Sequence, residues 1–168
     1  RQKKPHTDQP IYRMLSSGLS QRRVAFHLGI HRTTVARKLL RLGAAAANEQ
    51  HNWRLRQELP EGRVAVFDEM ETFEHSKCKP LAIAVAVQEG TRLILAAEVG
   101  KMPAKGRLAE ISRRRYGRRR DERAKGLTQA LRRVKDALPH VAVVKSDECP
   151  RYPRAVRDEL PGVAHLTY

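Results

Sequence analysis

The sequence predicts a small all-α unit followed by an α/β unit built on a sheet of mixed direction. Between Ile11 and Leu42 apolar residues recur at helical spacing in three short runs. Beyond Pro60, Glu61 and Gly62 the period shortens to that of strands, and these later alternate with helical stretches. With 168 residues, 40% hydrophobic and 5% aromatic, the chain has apolar side chains enough for a core, which excludes wholesale disorder.

Ile11 with Leu15 marks the first helix, Val24, Ala25 and Leu28 the second, and Val35, Leu39 and Leu42 the third. Ser20 has the side chain to cap the second helix, Gly29 sits at the break, and Ile30 plugs the turn. The third helix begins near Arg32, with His31 where Ser or Asn is usual. Residues 1–43 thus read as a helix-turn-helix domain. Gly43 and the run Ala44 to Ala47 break the amphipathic pattern, so 44–61 is a linker or a helical extension, with Trp53 a packing anchor within it.

The second domain, 62–168, opens with strands over Arg63–Phe67, Leu81–Gln88 and Thr91–Val99, joined by tight turns. An Arg-rich stretch from Met102 to Gly126 follows. A helix then carries Leu127, Ala130, Leu131, Val134 and Leu138 on one face and ends at Pro139. Val141–Lys145 is a further strand, Val156 and Leu160 mark a short helix, and Val163 to Tyr168 begins another strand.

Charge narrows the function. Thirty-four Lys and Arg against 18 Asp and Glu leave +16, a balance suited to a polyanion, because each neutralised phosphate releases counterions. The longest apolar run, Leu81–Val87, falls far short of the roughly 20 residues that span a bilayer. No signal-peptide pattern opens the chain, so a cytoplasmic protein without membrane partners is expected. Cys78 and Cys149 make no disulfide framework. With His75 they fall short of the four converging ligands of structural zinc. Residue 1 is Arg rather than Met, and the expectation is a piece of a longer chain.

Three constellations carry chemistry. On the third helix, Arg32, Thr33, Arg37, Lys38 and Arg41 suit guanine edges and phosphates in a major groove; the alternative is a solvated basic face. Asp68 and Asp147 each follow a short apolar strand, where side chains project into the crevice of an α/β sheet. Two such carboxylates can hold Mg2+ or Mn2+ for phosphoryl transfer; the alternative is a loop start at Asp68 and a helix cap at Asp147. Arg113, Arg114, Arg115, Arg118, Arg119 and Arg120 are either a solvated loop or a phosphate-contacting arm. Glu69 and Glu148, alternating away from the aspartates, fall on the opposite face, and Glu159 lies too far along its helix to join them.

The stretches FDEMETFEHSKCKPLAIAVAV from Phe67 and VKSDECPRYP from Val144 resemble the ribonuclease H-like catalytic domain of DDE transposases from bacterial insertion sequences. With the preceding helix-turn-helix, the resemblance covers nearly the whole chain. It implies metal-dependent DNA strand cleavage and transfer, with Asp68 and Asp147 as the first two metal-holding carboxylates and Mg2+ or Mn2+ as cofactor. It also implies terminal repeats and target DNA as double-stranded partners, a homo-oligomer on DNA, and a nucleoid-associated cytoplasmic location. The family's third carboxylate, usually Glu, follows the next strand, so these residues alone are expected to be C-terminally incomplete and inactive. The rival reading is a non-catalytic helix-turn-helix regulator or an inactive transposase remnant.

Overall fold

After a 3-10 turn at Pro5–Thr7, the three apolar runs form α1 (Asp8–Ser16), α2 (Gln21–His27) and α3 (Arg32–Arg56). The computed structural model describes residues 4–56 and 62–168, and the chain divides into two units, Arg1–Glu58 and Leu59–Tyr168. In the first, each helix contributes one fully buried residue, Ile11, Val24 and Val35, around which Met14, Leu15, Leu28, Ile30 and Leu42 pack. Ser20 accepts from the Arg23 N–H at 3.4 Å and caps α2. At its other end the Ile30 N–H reaches the Ala25 carbonyl (3.0 Å) and the Gly29 N–H that of Phe26 (3.3 Å), a Schellman closure. Gly29 takes φ +58° there, which a Cβ disfavours.

His31 supplies the cap for α3. Its Nδ1 accepts from the Thr33 N–H at 3.3 Å, while its carbonyl accepts from Thr34 and Val35. The helix does not stop at Gly43. Ala44 to Ala47, residues of the highest helix propensity, carry it to Arg56, so over 44–56 the chain is a helical extension and not an irregular linker. Residues 43–52 are exposed all round. The Trp53 side chain and residues 57–61 lie outside the described part.

The second unit is a five-stranded sheet in the order β3-β2-β1-β4-β5, formed by β1 (Val64–Phe73), β2 (Pro80–Gln88), β3 (Ile94–Lys101), β4 (Val143–Ser146) and β5 (Ala164–Thr167). The first three pair antiparallel as consecutive hairpins, while β4 runs parallel to both β1 and β5. Helices α5 (Arg123–Ala137) and α6 (Tyr152–Glu159) cover one face, where Leu127, Leu131, Val134, Tyr152 and Val156 bury Phe67 and the alanines of β2. The start of α5 is seated on the end of β3: the Glu122 N–H donates to the Lys101 carbonyl at 2.7 Å, and a Cβ on Gly100 would come within 2.8 Å of the Glu122 carbonyl oxygen.

Two expectations are corrected. The first strand runs on past Phe67 to Phe73, because the acids that make its second half look like a loop are matched by bases from elsewhere: Glu69 by Arg151 (2.5 Å) and Glu71 by Lys105 (2.7 Å). The Arg-rich stretch contains a helix, α4 (Leu108–Tyr116), docked through the buried Ser112 hydroxyl, which donates to the Cys78 carbonyl at 2.6 Å. Among the described residues no helix is long and apolar enough to cross a membrane.

The inward stripe of α3 is Val35, Lys38 and Leu42, and Leu39 faces out. Lys38 is 6% exposed; its ammonium meets Asp8 of α1 at 2.5 Å and the Lys4 carbonyl at 2.8 Å. Asp8→Ala strands that ammonium and is expected to destabilise the first unit by about 1–3 kcal/mol. Lys38→Met is expected to cost less, because Asp8 keeps Arg41. Amide hydrogen exchange across α1 to α3 measures both; equal loss of protection in the two variants would contradict the assignment.

Candidate functional site

The parallel ladder sets Val64 opposite Val143, Ala65 opposite Val144 and Val66 opposite Lys145. Carried two residues further, that register sets Asp68 opposite Asp147. Ala65, Phe67, Val144 and Ser146 point into the helix-covered core, so alternation turns Asp68 and Asp147 to the other side, where both are exposed. Asp68 is the fifth of ten residues in its strand rather than the last, and Asp147 is the first residue beyond β4. One oxygen of each is engaged locally: Asp68 Oδ1 accepts from the Glu69 N–H at 2.7 Å, and Asp147 Oδ1 from the Cys149 N–H at 3.1 Å. The second oxygen of each has no hydrogen-bond partner among the described residues.

On the helix side the same strand ends are tied down. Glu69, its side chain 8% exposed, takes the Arg151 guanidinium at 2.5 Å and the Tyr152 hydroxyl at 3.4 Å. The Tyr152 ring meets Phe67 edge-on, centroids 5.0 Å apart. Burial first, then the fields of Glu69, Asp147, Cys149 and Asp68, push the Tyr152 hydroxyl well above its ordinary pKa. Arg151 and Tyr152 therefore bind the turn after Asp147 to the residue after Asp68. Sequence reasoning passed over both; an aromatic flanked by two prolines at a helix start was the available signal. Glu159 is held by Arg132 at 2.7 Å, and His75 by Tyr116 at 3.3 Å.

The basic residues separate into distinct groups. On α3, Arg32, Thr33 and Arg37 are exposed, with the Thr33 hydroxyl 2.7 Å from His31 Nδ1. Lys38 does not belong with them, being buried on Asp8, and Arg41 is paired with the same carboxylate. In the second unit Arg113, Arg114 and Arg115 lie on α4 and Arg118 and Arg120 just beyond it, all exposed. Arg119 is corrected to a structural role. Its side chain, 9% exposed, donates to the carbonyls of Met102 (3.2 Å) and Pro80 (3.2 Å) and pairs with Glu74 (3.1 Å). Lys79 and Arg119 together hold the Glu74 carboxyl below its ordinary pKa.

Two exposed carboxylates with a free oxygen each suit a hard cation that keeps water or substrate oxygens as the rest of its shell. No group of three or more His, Cys, Asp or Glu side chains able to hold a metal occurs among the described residues.

No family model and no curated protein matches this chain. Among solved structures, a chain of the simian T-cell lymphotropic virus intasome in complex with PP2A regulatory subunit B56 gamma is similar at 12% identity and a TM-score of 0.36. The match covers 95% of this chain and 51% of that one, so this chain spans about half its length. Likeness at that level leaves function to rest on the chain's own residues.

Arg151→Ala leaves the Glu69 carboxylate with the Tyr152 contact alone. The expected cost is about 1 kcal/mol, at the low end for a broken pair because the guanidinium is half in water. Glu69→Gln, which still accepts from both donors, is expected to cost less. Urea denaturation of the second unit measures the difference, and a larger loss in Glu69→Gln would contradict the arrangement.

Proposed function

We propose that this chain is a DNA-processing protein of ribonuclease H-like architecture, a DDE-type transposase in which Asp68 and Asp147 hold Mg2+ or Mn2+ for phosphodiester cleavage and strand transfer. The observation that carries the reading is the register of the central parallel pair, which, continued two residues beyond its last pair Val66–Lys145, brings the exposed Asp68 and Asp147 level on one face of the sheet. A strand order of β3-β2-β1-β4-β5 is compatible with that architecture.

In this reading each residue has a limited task. Asp68 and Asp147 offer carboxylate oxygens to the cation, and the hydrogen bonds accepted from the Glu69 and Cys149 N–H groups fix one oxygen of each. The cation, when bound, supplies positive charge that polarises the phosphodiester. Arg151 and Tyr152, through Glu69, keep the two carboxylate-bearing segments together. Arg32, Thr33 and Arg37 of α3 face the edges of duplex bases, and the net charge of +16 favours the backbone at any sequence.

A non-catalytic DNA-binding regulator is the second reading, and the acidic pair standing without a third ligand among the described residues favours it. Manganese titration separates the two. Saturable Mn2+ binding, weakened about 10- to 100-fold or more in Asp68→Asn and in Asp147→Asn with duplex affinity unchanged, is expected of the enzyme. Absence of saturable Mn2+ binding makes the regulator the better account.

Base reading has its own test. Arg32→Ala and Arg37→Ala are each expected to cost about 1–3 kcal/mol of discrimination at the contacted pair in competition binding, and Arg41→Ala much less. Unchanged discrimination in all three removes α3 as the reader.

A further inference from the structure

A cleft of about 800 Å3 opens beside α4, lined by Pro103 and Ala104 and by Arg113, Arg118, Arg119 and Arg120. Its one acid among the described residues, Asp121, is taken by the fork of Arg123, with Nε donating to Oδ1 at 2.9 Å and Nη2 to Oδ2 at 2.5 Å. That fork holds the Asp121 carboxyl below its ordinary pKa. Arg119 is fixed in the wall by Glu74 and two carbonyls. Arg113, Arg118 and Arg120 have no acidic partner among the described residues.

A second hollow of about 540 Å3 shares Arg118, Arg119 and Arg120 and adds Lys79 and Lys101. Its acids are engaged: Glu74 by Lys79 at 2.6 Å and Arg119, and Glu122 by the Lys101 N–H at 3.4 Å. The two hollows therefore form one cationic track around a shared set of arginines. Crowded guanidiniums in a concave wall raise one another's energy, and an anion relieves it; planar forks match phosphate oxygens in particular. Hollows of about 800 and 540 Å3 offer more room than a single phosphate fills. Arg114 and Arg115, although adjacent in sequence and exposed, line neither hollow.

We infer that this track is a binding site for the phosphodiester backbone of DNA, made by Arg113, Arg118 and Arg120 around the fixed Arg119, and that Arg114 and Arg115 are outside it. The inference takes the identity of its polyanion from the DNA-processing reading but needs neither the metal nor the aspartates.

The test compares two charge-matched variants of the full chain, Arg118→Gln/Arg120→Gln and Arg114→Gln/Arg115→Gln, both carrying Arg32→Ala and Arg37→Ala to silence α3. Binding of a fluorescein-labelled DNA duplex is followed by anisotropy in EDTA over a salt series, and inorganic phosphate serves as competitor. The first variant is expected to bind about tenfold more weakly, with a log-affinity against log-salt slope shallower by about 1.8, from about 0.9 per phosphate contact. The second is expected to stay within about twofold of its parent, and phosphate to compete only at millimolar concentration or above. Equal losses in the two variants, or none in either, would mean diffuse charge without a site and overturn the inference. Saturation by micromolar phosphate would overturn it in favour of a free-phosphate site. Since EDTA removes any metal, failure here leaves the aspartate reading standing, and failure of Mn2+ binding leaves this one.

Discussion

The central parallel pair is the constraint on which the candidate site depends. Among the described residues the ladder between β1 and β4 is short, pairing Val64 to Val66 with Val143 to Lys145, yet a slip of one residue would send Asp147 to the opposite face of the sheet from Asp68. Burial supplies the discrimination. Ala65, Phe67, Val144 and Ser146 alternate inward beneath α5 and α6, and a shifted register would bury Lys145 in their place. Glu69 adds a second lock beyond the end of the ladder, joining β1 to the start of α6 through Arg151 and Tyr152. The position of the carboxylates thus follows from apolar packing on the other side of the sheet.

Charge in this molecule is organised more tightly than a net of +16 implies. Three acids in the second half of β1 and just past it, Glu69, Glu71 and Glu74, take bases from four separated segments, so the hairpin gathers basic segments that would otherwise repel. Lys38 and Arg119 are cations used as internal cross-links, each with carbonyl acceptors as well as a carboxylate. Arg32 and Arg37 on α3, and Arg113, Arg114, Arg115, Arg118 and Arg120 on and just after α4, are among the exposed bases without an acidic partner among the described residues.

Local chemistry was legible wherever a single residue determines backbone geometry. Ser20 and Gly29 mark the ends of α2 from sequence alone, and His31 stands out as a departure whose imidazole proves to do the capping. The continuous apolar run of β2 and the apolar face of α5 were equally plain. Legibility failed where partners come from afar. Periodicity does not show that Lys38 meets Asp8, thirty residues earlier, so Leu39 was placed inward in its stead. Helix α4 hides because it is held by Ser112 and by the His75 and Lys79 contacts of Tyr116 rather than by an apolar stripe. The second half of β1 reads as a loop until its bases are known. The partner of Arg151 and Tyr152 is hidden for the same reason, because only the neighbourhood of β1 and β4 brings them to Glu69.

The seat of α5 on β3 bears on how quickly and how tightly the basic track can take a ligand. The segment from Gly117 to Asp121 is closed at one end by the Gly117 N–H on the Arg113 carbonyl (3.0 Å) and at the other by Glu122 on Lys101 (2.7 Å), with Arg119 pinned between them. Its conformational entropy is lost when the sheet forms, not when an anion arrives. A guanidinium array carried on such a brace meets its partner with the backbone already in place, so only the side chains of Arg118 and Arg120 have freedom left to surrender. Gly100 thereby acquires a role remote from its own surroundings: by letting two backbones touch, it makes a charge cluster rigid.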